Sequence, residues 1–233
     1  MPQLLVSVSS VEEARIALDN GVDIIDLKHP ARGALGALDL DDIVEIVDFL
    51  NLHDQPKSKL ITATIGDLPM QPELLLARVE QVAACKVDVI KIGFFNSLSD
   101  PMQTYLACLE KLKVVTEQSV KLVAVLFAEY AYSPEIIGMI RNAGFYGVMV
   151  DTAHKNGATF LDYFSNAQMT ELINNTKNQQ LQFGLAGSLQ LQHIVRVKQF
   201  NPSYIGFRGG VCDAALRKNA LSADKVKAAR KMM

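Results

Sequence analysis

Short apolar runs alternate with stretches of helical periodicity along the chain. The runs are nearly continuous in apolar residues, which is typical of parallel strands buried on both faces. The stretches between them have the periodicity of helices that cover a sheet. The eight predicted strands are residues 4–8, 22–28, 60–66, 87–93, 121–127, 146–153, 182–188 and 204–210.

Start and stop signals mark several of the predicted helices. Ser10 and Glu13 have the spacing of a capping box at the start of the first helix. Ser133 precedes Pro134, a pair that favours a helix start, and Gly144 stands where that helix should end. Strands and helices therefore alternate without an evident linker.

Eight strands, each followed by a helix, predict a single-domain (β/α)₈ TIM barrel over residues 1–233. A doubly wound open sheet also alternates strands and helices. Eight such units in a chain this short favour a closed barrel instead. No internal repeat or domain boundary is visible.

Composition and charge narrow the range of functions. Hydrophobic residues make up 49% of the chain and the formal net charge is −2, which argues against disorder and against nucleic acid or an anionic membrane as partner. No apolar run approaches the roughly 18–20 residues of a membrane span. The first residues, MPQLLVSVSS, lack the basic region and longer apolar core of a secretory signal. We therefore expect a soluble, cytoplasmic protein.

The cysteines and histidines do not indicate a metal site or another cofactor. Cys85, Cys108 and Cys212 are widely spaced and form no CxxC pair, as expected in a reducing compartment. The four histidines show no HxH or HExxH spacing. Cys212 could be a nucleophile, but without an evident histidine partner a small buried thiol is the better interpretation.

Charged residues collect at the ends of three predicted strands. Active sites of such barrels lie at the C-terminal strand ends, so these ends indicate where the chemistry occurs. Alternation of side chains points Asp26 and Lys28 inward, and Lys91 and Asp151 likewise, with Lys155 just beyond on the loop. Rim ion pairs are the structural alternative. Five charges converging on one mouth favour catalysis, because burying them without a use is costly.

Clustered lysines have a specific chemical use. A neutral amine attacks a carbonyl and forms an iminium, which acidifies the neighbouring carbon for aldol chemistry. The lysine pKa must fall from about 10.4 toward neutrality, through burial or neighbouring cations. Three lysines in one pocket would lower one another's pKa, while the aspartates position them and transfer protons. Spacing alone leaves open which lysine forms the Schiff base.

The last two strands end in glycine-rich segments that indicate a phosphate site. GLAGSLQ (184–190) and YIGFRGGVC (204–212) follow the strands where barrels commonly bind a substrate phosphate. Glycines let backbone N–H groups approach an anion, and the following helix adds partial positive charge. Tight strand–helix turns are the structural alternative. The predicted phosphate ligands are Gly187, Ser188, Arg208, Gly209 and Gly210.

The loop after the second strand, HPARGALGALDL (29–40), is also rich in glycine. Gly33 and Gly36 suggest a loop that closes over the pocket, with Arg32 able to meet a second phosphate. An ordinary loop into the helix that starts near Asp39 is the alternative.

Six segments resemble the (5-formylfuran-3-yl)methyl phosphate synthase family. They are LLVSV, DIIDLKHPARGALGA, DVIKIG, VMVDTAHK, GLAGSL and YIGFRGGVC, and they span nearly the whole chain. The resemblance implies a TIM barrel that condenses two glyceraldehyde 3-phosphate molecules, one of them first isomerised. Aldol joining, loss of one phosphate and dehydrative ring closure would follow. The product would serve the biosynthesis of methanofuran or its bacterial relative.

The resemblance also implies roles for individual residues. Lys28 would form the Schiff base, Lys91 would be the general acid and base, and Asp151 with Lys155 would support them. One position departs from the family pattern: His29 stands where Asn or Asp is expected. This leaves the nucleophile intact but changes the hydrogen bonding available beside it.

Two other functions compete with this interpretation. The first is another Schiff-base aldolase or decarboxylase acting on sugar phosphates, and the second is a non-catalytic barrel that binds phosphorylated metabolites. In each case the expected partners are small phosphorylated molecules, with neither nucleic acid nor membrane. A homo-oligomer is expected because barrels of this size often associate.

Overall fold

Eight parallel strands form a closed barrel in the computed structural model, which describes residues 1–95 and 101–233. Consecutive strands pair in chain order, and the first strand pairs with the last, so the predicted (β/α)₈ barrel is confirmed. The strands are β1 Gln3–Val8, β2 Ile24–Leu27, β3 Leu60–Thr64, β4 Val89–Gly93, β5 Leu122–Phe127, β6 Gly147–Asp151, β7 Gln182–Leu185 and β8 Tyr204–Phe207.

A helix follows each strand and covers the outside of the barrel. A cluster of apolar residues fills the layer between strands and helices. In the described ranges 1–95 and 101–233, no helix is both long and apolar enough to cross a membrane. The helices are α1 Val11–Asp19, α2 Leu40–His53, α3 Pro72–Ala84, α4 Pro101–Glu117, α5 Ile136–Asn142, α6 Asn166–Asn178, α7 Ile194–Lys198 and α8 Ala223–Met232.

A second, smaller apolar cluster fills the inside of the barrel. Leu5, Ile24, Val89 and Met149 belong to it, each from a different strand. Since alternate residues of a strand share a face, the charged residues two positions beyond Ile24, Val89 and Met149 also point inward. The predicted inward direction of the charged strand ends is thereby confirmed.

Some predicted element boundaries are wrong. The predicted eighth strand ran to residue 210, but β8 ends at Phe207 because Gly209–Val211 turns into a 3₁₀ helix. The helix expected to start at Pro134 begins at Ile136, because Ser133 and Pro134 lie in the preceding turn. Gly144 does follow the end of α5, with the positive φ of +77° that favours glycine.

The predicted capping box of α1 is only half formed. Ser10 Oγ accepts a hydrogen bond from the Glu13 N–H at 3.2 Å. The Glu13 carboxylate does not return to Ser10 but accepts from the backbone and hydroxyl of Ser9. It also pairs with Arg208 beyond β8, and this pairing draws it away from the helix cap.

Candidate active site

A cavity of about 260 Å³ opens at the C-terminal end of the barrel. It is bounded by the ends of five strands, by the loop after β6 and by the segments that follow β7 and β8. All five charged residues predicted to meet at the strand ends line it: Asp26, Lys28, Lys91, Asp151 and Lys155.

The deepest charged group is the pair of Asp26 and Lys91. Asp26 is fully buried, and the Lys91 ammonium lies 2.6 Å from its Oδ1 atom. Thr62 Oγ1 donates to Oδ1 at 2.7 Å and Ser7 Oγ donates to Oδ2 at 2.8 Å. Strand register explains the arrangement, because Ser7 and Thr62 are the direct neighbours of Asp26 on β1 and β3.

Asp26 is held ionised despite its burial. Burial alone raises the pKa of this carboxyl, but the positive charges of Lys91 and Lys28 and the hydrogen bonds from Lys91 and Thr62 outweigh it. The pKa of Asp26 therefore lies below its ordinary value. The Lys91 amine beside it is its ion-pair partner.

Asp151 and Lys155 form a second pair nearer the cavity mouth. Lys155 Nζ donates to Asp151 Oδ1 at 2.6 Å and to the Thr152 carbonyl at 2.7 Å. Burial raises the pKa of Asp151, but Lys155, Lys28 and the hydrogen bonds to the carboxylate dominate and hold this pKa at about 2. The lysine of this pair is therefore also engaged.

Lys28 differs from the other two lysines of the cavity in its hydrogen bonding and in its pKa. Its side chain is buried, yet its amine donates to no acceptor within residues 1–95 and 101–233. Burial is the main cause that lowers the pKa of Lys28 to about 8; the cations Lys155 and Lys91 act in the same direction, and the carboxylates Asp151 and Asp26 oppose it. This geometry separates the three lysines that spacing could not, and singles out Lys28 as the candidate nucleophile.

The segment after β7 has the backbone expected of an anion site. Gly187 and Ser188 line the cavity with φ angles of +97° and +52°. Within the part of the chain that the structure describes, the N–H groups of Gly187, Ser188 and Leu189 have no protein acceptor. Gly209 also lines the cavity, whereas Gly210 packs behind it: a Cβ there would lie 2.4 Å from the Leu189 carbonyl oxygen.

Arg208 borders the cavity, but the prediction that its guanidinium binds phosphate does not fit the geometry. Its Nη atoms donate to both carboxylate oxygens of Glu13, at 2.6 and 3.0 Å. The remaining N–H groups donate to the backbone carbonyls of Ser7, Arg217 and Asn219. All five N–H groups of the guanidinium are thus in use, and Glu13 neutralises its charge.

Arg32, unlike Arg208, does not line the cavity. Its guanidinium pairs with Asp39 at 2.8 Å on the exterior, where both side chains are largely exposed. The side chain turns to the start of α2, and the contact of Arg32 with a second phosphate stays a prediction. The alternative of an ordinary loop into a helix near Asp39 fits, since Asp39 is the N-cap of α2.

The loop after β2 is anchored at the cavity rim. Asp67, just beyond β3, accepts hydrogen bonds from the Ala34 and Leu35 N–H groups, both at 2.7 Å. Ala34 and Leu35 are buried against the barrel interior. Gly33 does not line the cavity; a Cβ there would lie 2.0 Å from the Asp67 carboxylate.

Several residues of the site were missed by sequence reasoning. Ser7 and Thr62 lie on the inner faces of β1 and β3, and the same strand-end survey would have found them. Glu129 accepts from the backbone N–H groups of Ala153 and His154, and so holds the segment that leads to Lys155. No local pattern marks that contact, because it joins two loops.

Two remaining candidates have modest surroundings. Cys212 is fully buried, and burial raises the pKa of its thiol, as expected for a small core residue. His29 Nδ1 accepts from the Ala31 N–H at 3.3 Å within its own loop.

Comparison with known proteins identifies relatives over nearly the whole chain. Residues 4–230 match the family described as 4-HFC-P synthase. A Methylorubrum extorquens protein is 33% identical over 225 residues, covering 97% of this chain and 89% of its own. The (5-formylfuran-3-yl)methyl phosphate synthase of Methanocaldococcus jannaschii is 32% identical over 227 residues, covering 93% and 92%.

Solved structures resemble the chain in fold alone. Phosphoribosyl anthranilate isomerase from Thermus thermophilus has a TM-score of 0.65 at 15% identity, covering 99% of this chain and 97% of its own. The KGPDC structure from Streptococcus mutans has a TM-score of 0.64 at 14% identity, covering 99% and 96%. At identities this low the similarity shows the barrel fold alone, so the chemistry must be inferred from the site itself.

Proposed function

The chain belongs to the 4-HFC-P synthase family, and from that premise we propose that it condenses two glyceraldehyde 3-phosphate molecules into (5-formylfuran-3-yl)methyl phosphate. Phosphate and water are lost, and the reaction runs through a Schiff base on Lys28. The observation that carries the proposal is the buried Lys28 amine, which has a pKa of about 8 and no acceptor among the described residues.

The first step forms the iminium. The neutral Lys28 amine attacks the carbonyl carbon of one triose phosphate, and the carbonyl oxygen leaves as water after it is protonated. Lys91 supplies that proton, because its ammonium group, paired with Asp26 at 2.6 Å, lies in the same cavity. Lys91 is then a neutral amine beside a carboxylate, and it is ready to act as a base.

The second step joins the two substrates. Neutral Lys91 removes a proton from the carbon next to the iminium, and the resulting enamine attacks the carbonyl carbon of the second triose phosphate. A carbon–carbon bond forms, and Lys91 returns its proton to the new alkoxide. One lysine thus acts as acid, base and acid again, and it ends this step as a neutral amine that takes up a proton in the later steps.

The later steps use the iminium as an electron sink. Loss of a proton from the carbon next to the iminium gives an enamine. The electrons of this enamine then expel the phosphate at the β-position and regenerate an iminium. The Lys155 ammonium lies on the wall of the same cavity and offsets the charge of departing phosphate. Ring closure with loss of water, followed by hydrolysis of the imine, releases the furan aldehyde phosphate and restores the Lys28 amine.

Borohydride trapping tests the proposal. The protein is incubated with glyceraldehyde 3-phosphate and borohydride, and peptide mass analysis should find a reduced adduct on Lys28. Lys28→Arg should abolish both the adduct and turnover while leaving the fold intact, since arginine keeps the charge but does not form an imine. Inorganic phosphate should be released together with a near-ultraviolet aldehyde chromophore.

Each alternative predicts a different result. An adduct on Lys91 alone would overturn the assignment of the nucleophile. Adduct formation with a non-aromatic product would indicate another Schiff-base aldolase. A protein that binds the triose phosphate without adduct or phosphate release would be a non-catalytic barrel.

A further inference from the structure

A second arginine, Arg217, borders the cavity in the segment after β8. Its Nη2 donates to the Gly33 carbonyl at 2.9 Å, so the side chain bridges the segment after β8 and the loop after β2. A guanidinium has five N–H groups. Across residues 1–95 and 101–233, the Arg217 guanidinium makes no other hydrogen bond and has no carboxylate within ion-pair distance.

Arg217 therefore differs from the other arginine of the cavity wall. The charge and all the N–H groups of Arg208 are taken by protein partners. Arg217 is half-buried at the rim with most of its donors unused by the protein. A positive charge partly withdrawn from water and lacking a carboxylate is costly, and an anionic ligand offsets that cost.

The backbone on the same wall supplies the other half of an anion site. The N–H groups of Gly187, Ser188 and Leu189 have no acceptor in the described chain, and these residues line the same cavity as Arg217. Gly210 brings the two segments into contact, since its backbone packs against the Leu189 carbonyl. Consecutive N–H groups together with a planar guanidinium match the several oxygens of a phosphate monoester.

Arg208 holds the segment that carries Arg217. Its Nε donates to the Arg217 carbonyl at 2.9 Å and its Nη2 to the Asn219 carbonyl at 3.1 Å. The buried pair with Glu13 keeps the Arg208 guanidinium in place for these two contacts. Arg208 is therefore a positioning residue for the segment, and Arg217 is the arginine that presents unused donors.

We infer that Arg217, together with the Gly187–Leu189 N–H groups, binds the phosphate of the triose phosphate whose carbonyl carbon is captured by Lys28. The inference rests on the proposed function, because it names the recognition element for that same substrate. It makes the phosphate a condition for efficient capture. The ligand class is a short carbonyl compound that carries a phosphate monoester.

Substrate comparison with and without the phosphate tests the inference. Rates of borohydride trapping on Lys28 are measured with glyceraldehyde 3-phosphate and with glyceraldehyde. Arg217→Gln should lower the second-order rate for the phosphorylated aldehyde about 10- to 100-fold, the range expected for lost charge-assisted hydrogen bonds. The rate with glyceraldehyde should not change, because that compound has no phosphate to contact. A retained preference for the phosphorylated aldehyde in Arg217→Gln would overturn the inference.

Two control variants distinguish the specific effect of replacing Arg217 from a general effect of removing one arginine. Arg141→Gln changes an exposed arginine of α5 and should behave as wild type. Arg32→Gln removes the arginine first considered for phosphate, which pairs with Asp39 away from the cavity. Loss of the phosphate preference in Arg32→Gln, with Arg217→Gln unaffected, would contradict the assignment.

Titration with inorganic phosphate keeps this inference separate from the proposed function. Phosphate should protect the wild-type protein against thermal unfolding, and Arg217→Gln should weaken that binding by a similar factor of about 10 to 100. Phosphate binding that depends on Arg217 without an adduct on Lys28 would reject the chemistry and retain the anion site. Equal phosphate binding in wild type and Arg217→Gln would reject the anion site whatever the chemistry.

Discussion

Three lysines within one cavity differ in reactivity because their partners differ. Lys91 and Lys155 each lie 2.6 Å from an aspartate oxygen, so each of these amines forms an ion pair. Lys28 is buried beside the same charges but bonded to none of them within the described residues, so burial decides its pKa. Lys28 is therefore the reactive lysine because, unlike the other two, it has no carboxylate within ion-pair distance in the described residues.

The pH dependence of imine formation follows from this arrangement. The pKa of Lys28 is lowered to about 8, so the trapping rate should rise with pH around that value and level off above it. The Lys155 cation contributes to the lowering, and it also neutralises Asp151. Lys155→Met should therefore raise the pKa of Lys28 and move the midpoint to higher pH. Rate–pH profiles of borohydride trapping measure this, and a midpoint unchanged or lower in the variant would contradict it.

Residue identities in the site were predictable only where a strand imposed a direction. Asp26, Lys91 and Asp151 lie on strands, and alternation alone pointed them inward. Arg208 and Arg32 lie beyond strand ends, where no periodicity determines what a long side chain reaches. Both were expected to bind phosphate; Arg208 pairs with Glu13 of α1, and Arg32 pairs with Asp39 at the end of its own loop.

At the scale of elements, the loops of the catalytic face are held through their backbones. Asp67 accepts two consecutive N–H groups of the loop after β2, and Glu129 accepts two of the loop after β6. These are the loops that begin at Lys28 and lead to Lys155. A carboxylate that accepts two neighbouring N–H groups restrains a loop without occupying its side chains.

Gly33 and Gly157 have similar φ angles but differ in how close other atoms lie to the position of a Cβ atom. Alanine substitutions at the two positions therefore distinguish a steric clash from backbone strain. Gly33 has φ +109° with a Cβ position 2.0 Å from Asp67, and Gly157 has φ +98° with no atom within 4 Å. Gly157→Ala should cost about 1–2 kcal/mol from the positive φ alone. Gly33→Ala should cost about 1–3 kcal/mol more, because it also displaces the Asp67 clamp.

Denaturant unfolding of the two variants measures the difference. If Gly33→Ala is the more destabilised variant, the close approach of Asp67 explains why position 33 requires glycine. Equal losses in the two variants would show that backbone strain alone matters there.

Element order and type followed from the sequence more reliably than element ends. Each predicted apolar run overlaps one of the eight strands, since runs of this length bury well in a parallel sheet. The predicted ends were wrong where contacts of polar side chains, rather than the hydrophobic pattern, determine where a strand stops. The chain leaves β8 at Arg208, whose side chain turns to Glu13, and the following glycines form a turn that an apolar run would not reveal.

For the whole molecule, barrel closure depends on a contact between the two ends of the chain. β1 pairs with β8, and Glu13 of α1 forms a buried ion pair with Arg208 directly after β8. The Glu13 carboxylate also accepts from the Leu221 N–H at 3.2 Å. The first and last quarters of the chain are thus joined by polar contacts in addition to the sheet.

Breaking this ion pair should destabilise the protein strongly. Glu13→Gln leaves the Arg208 charge buried without a carboxylate, which typically costs about 3–5 kcal/mol. Glu110→Gln is the matched control, because it removes an exposed partner of Lys113 and should cost less than about 1 kcal/mol. Chemical denaturation of both variants measures the costs. A loss at Glu13 no larger than that at Glu110 would show that the buried pair does not hold the ends together.

Burial within the folded barrel is the main cause of the lowered pKa of Lys28, so the reactive amine belongs to the folded protein. The charges that act on Lys28 come from β2, from β4, from β6 and from the loop after β6, so a chain still leaving the ribosome carries an ordinary protonated lysine at this position. Unfolding should therefore return this lysine to its ordinary pKa, and the capacity to form an imine at neutral pH should be lost together with the barrel.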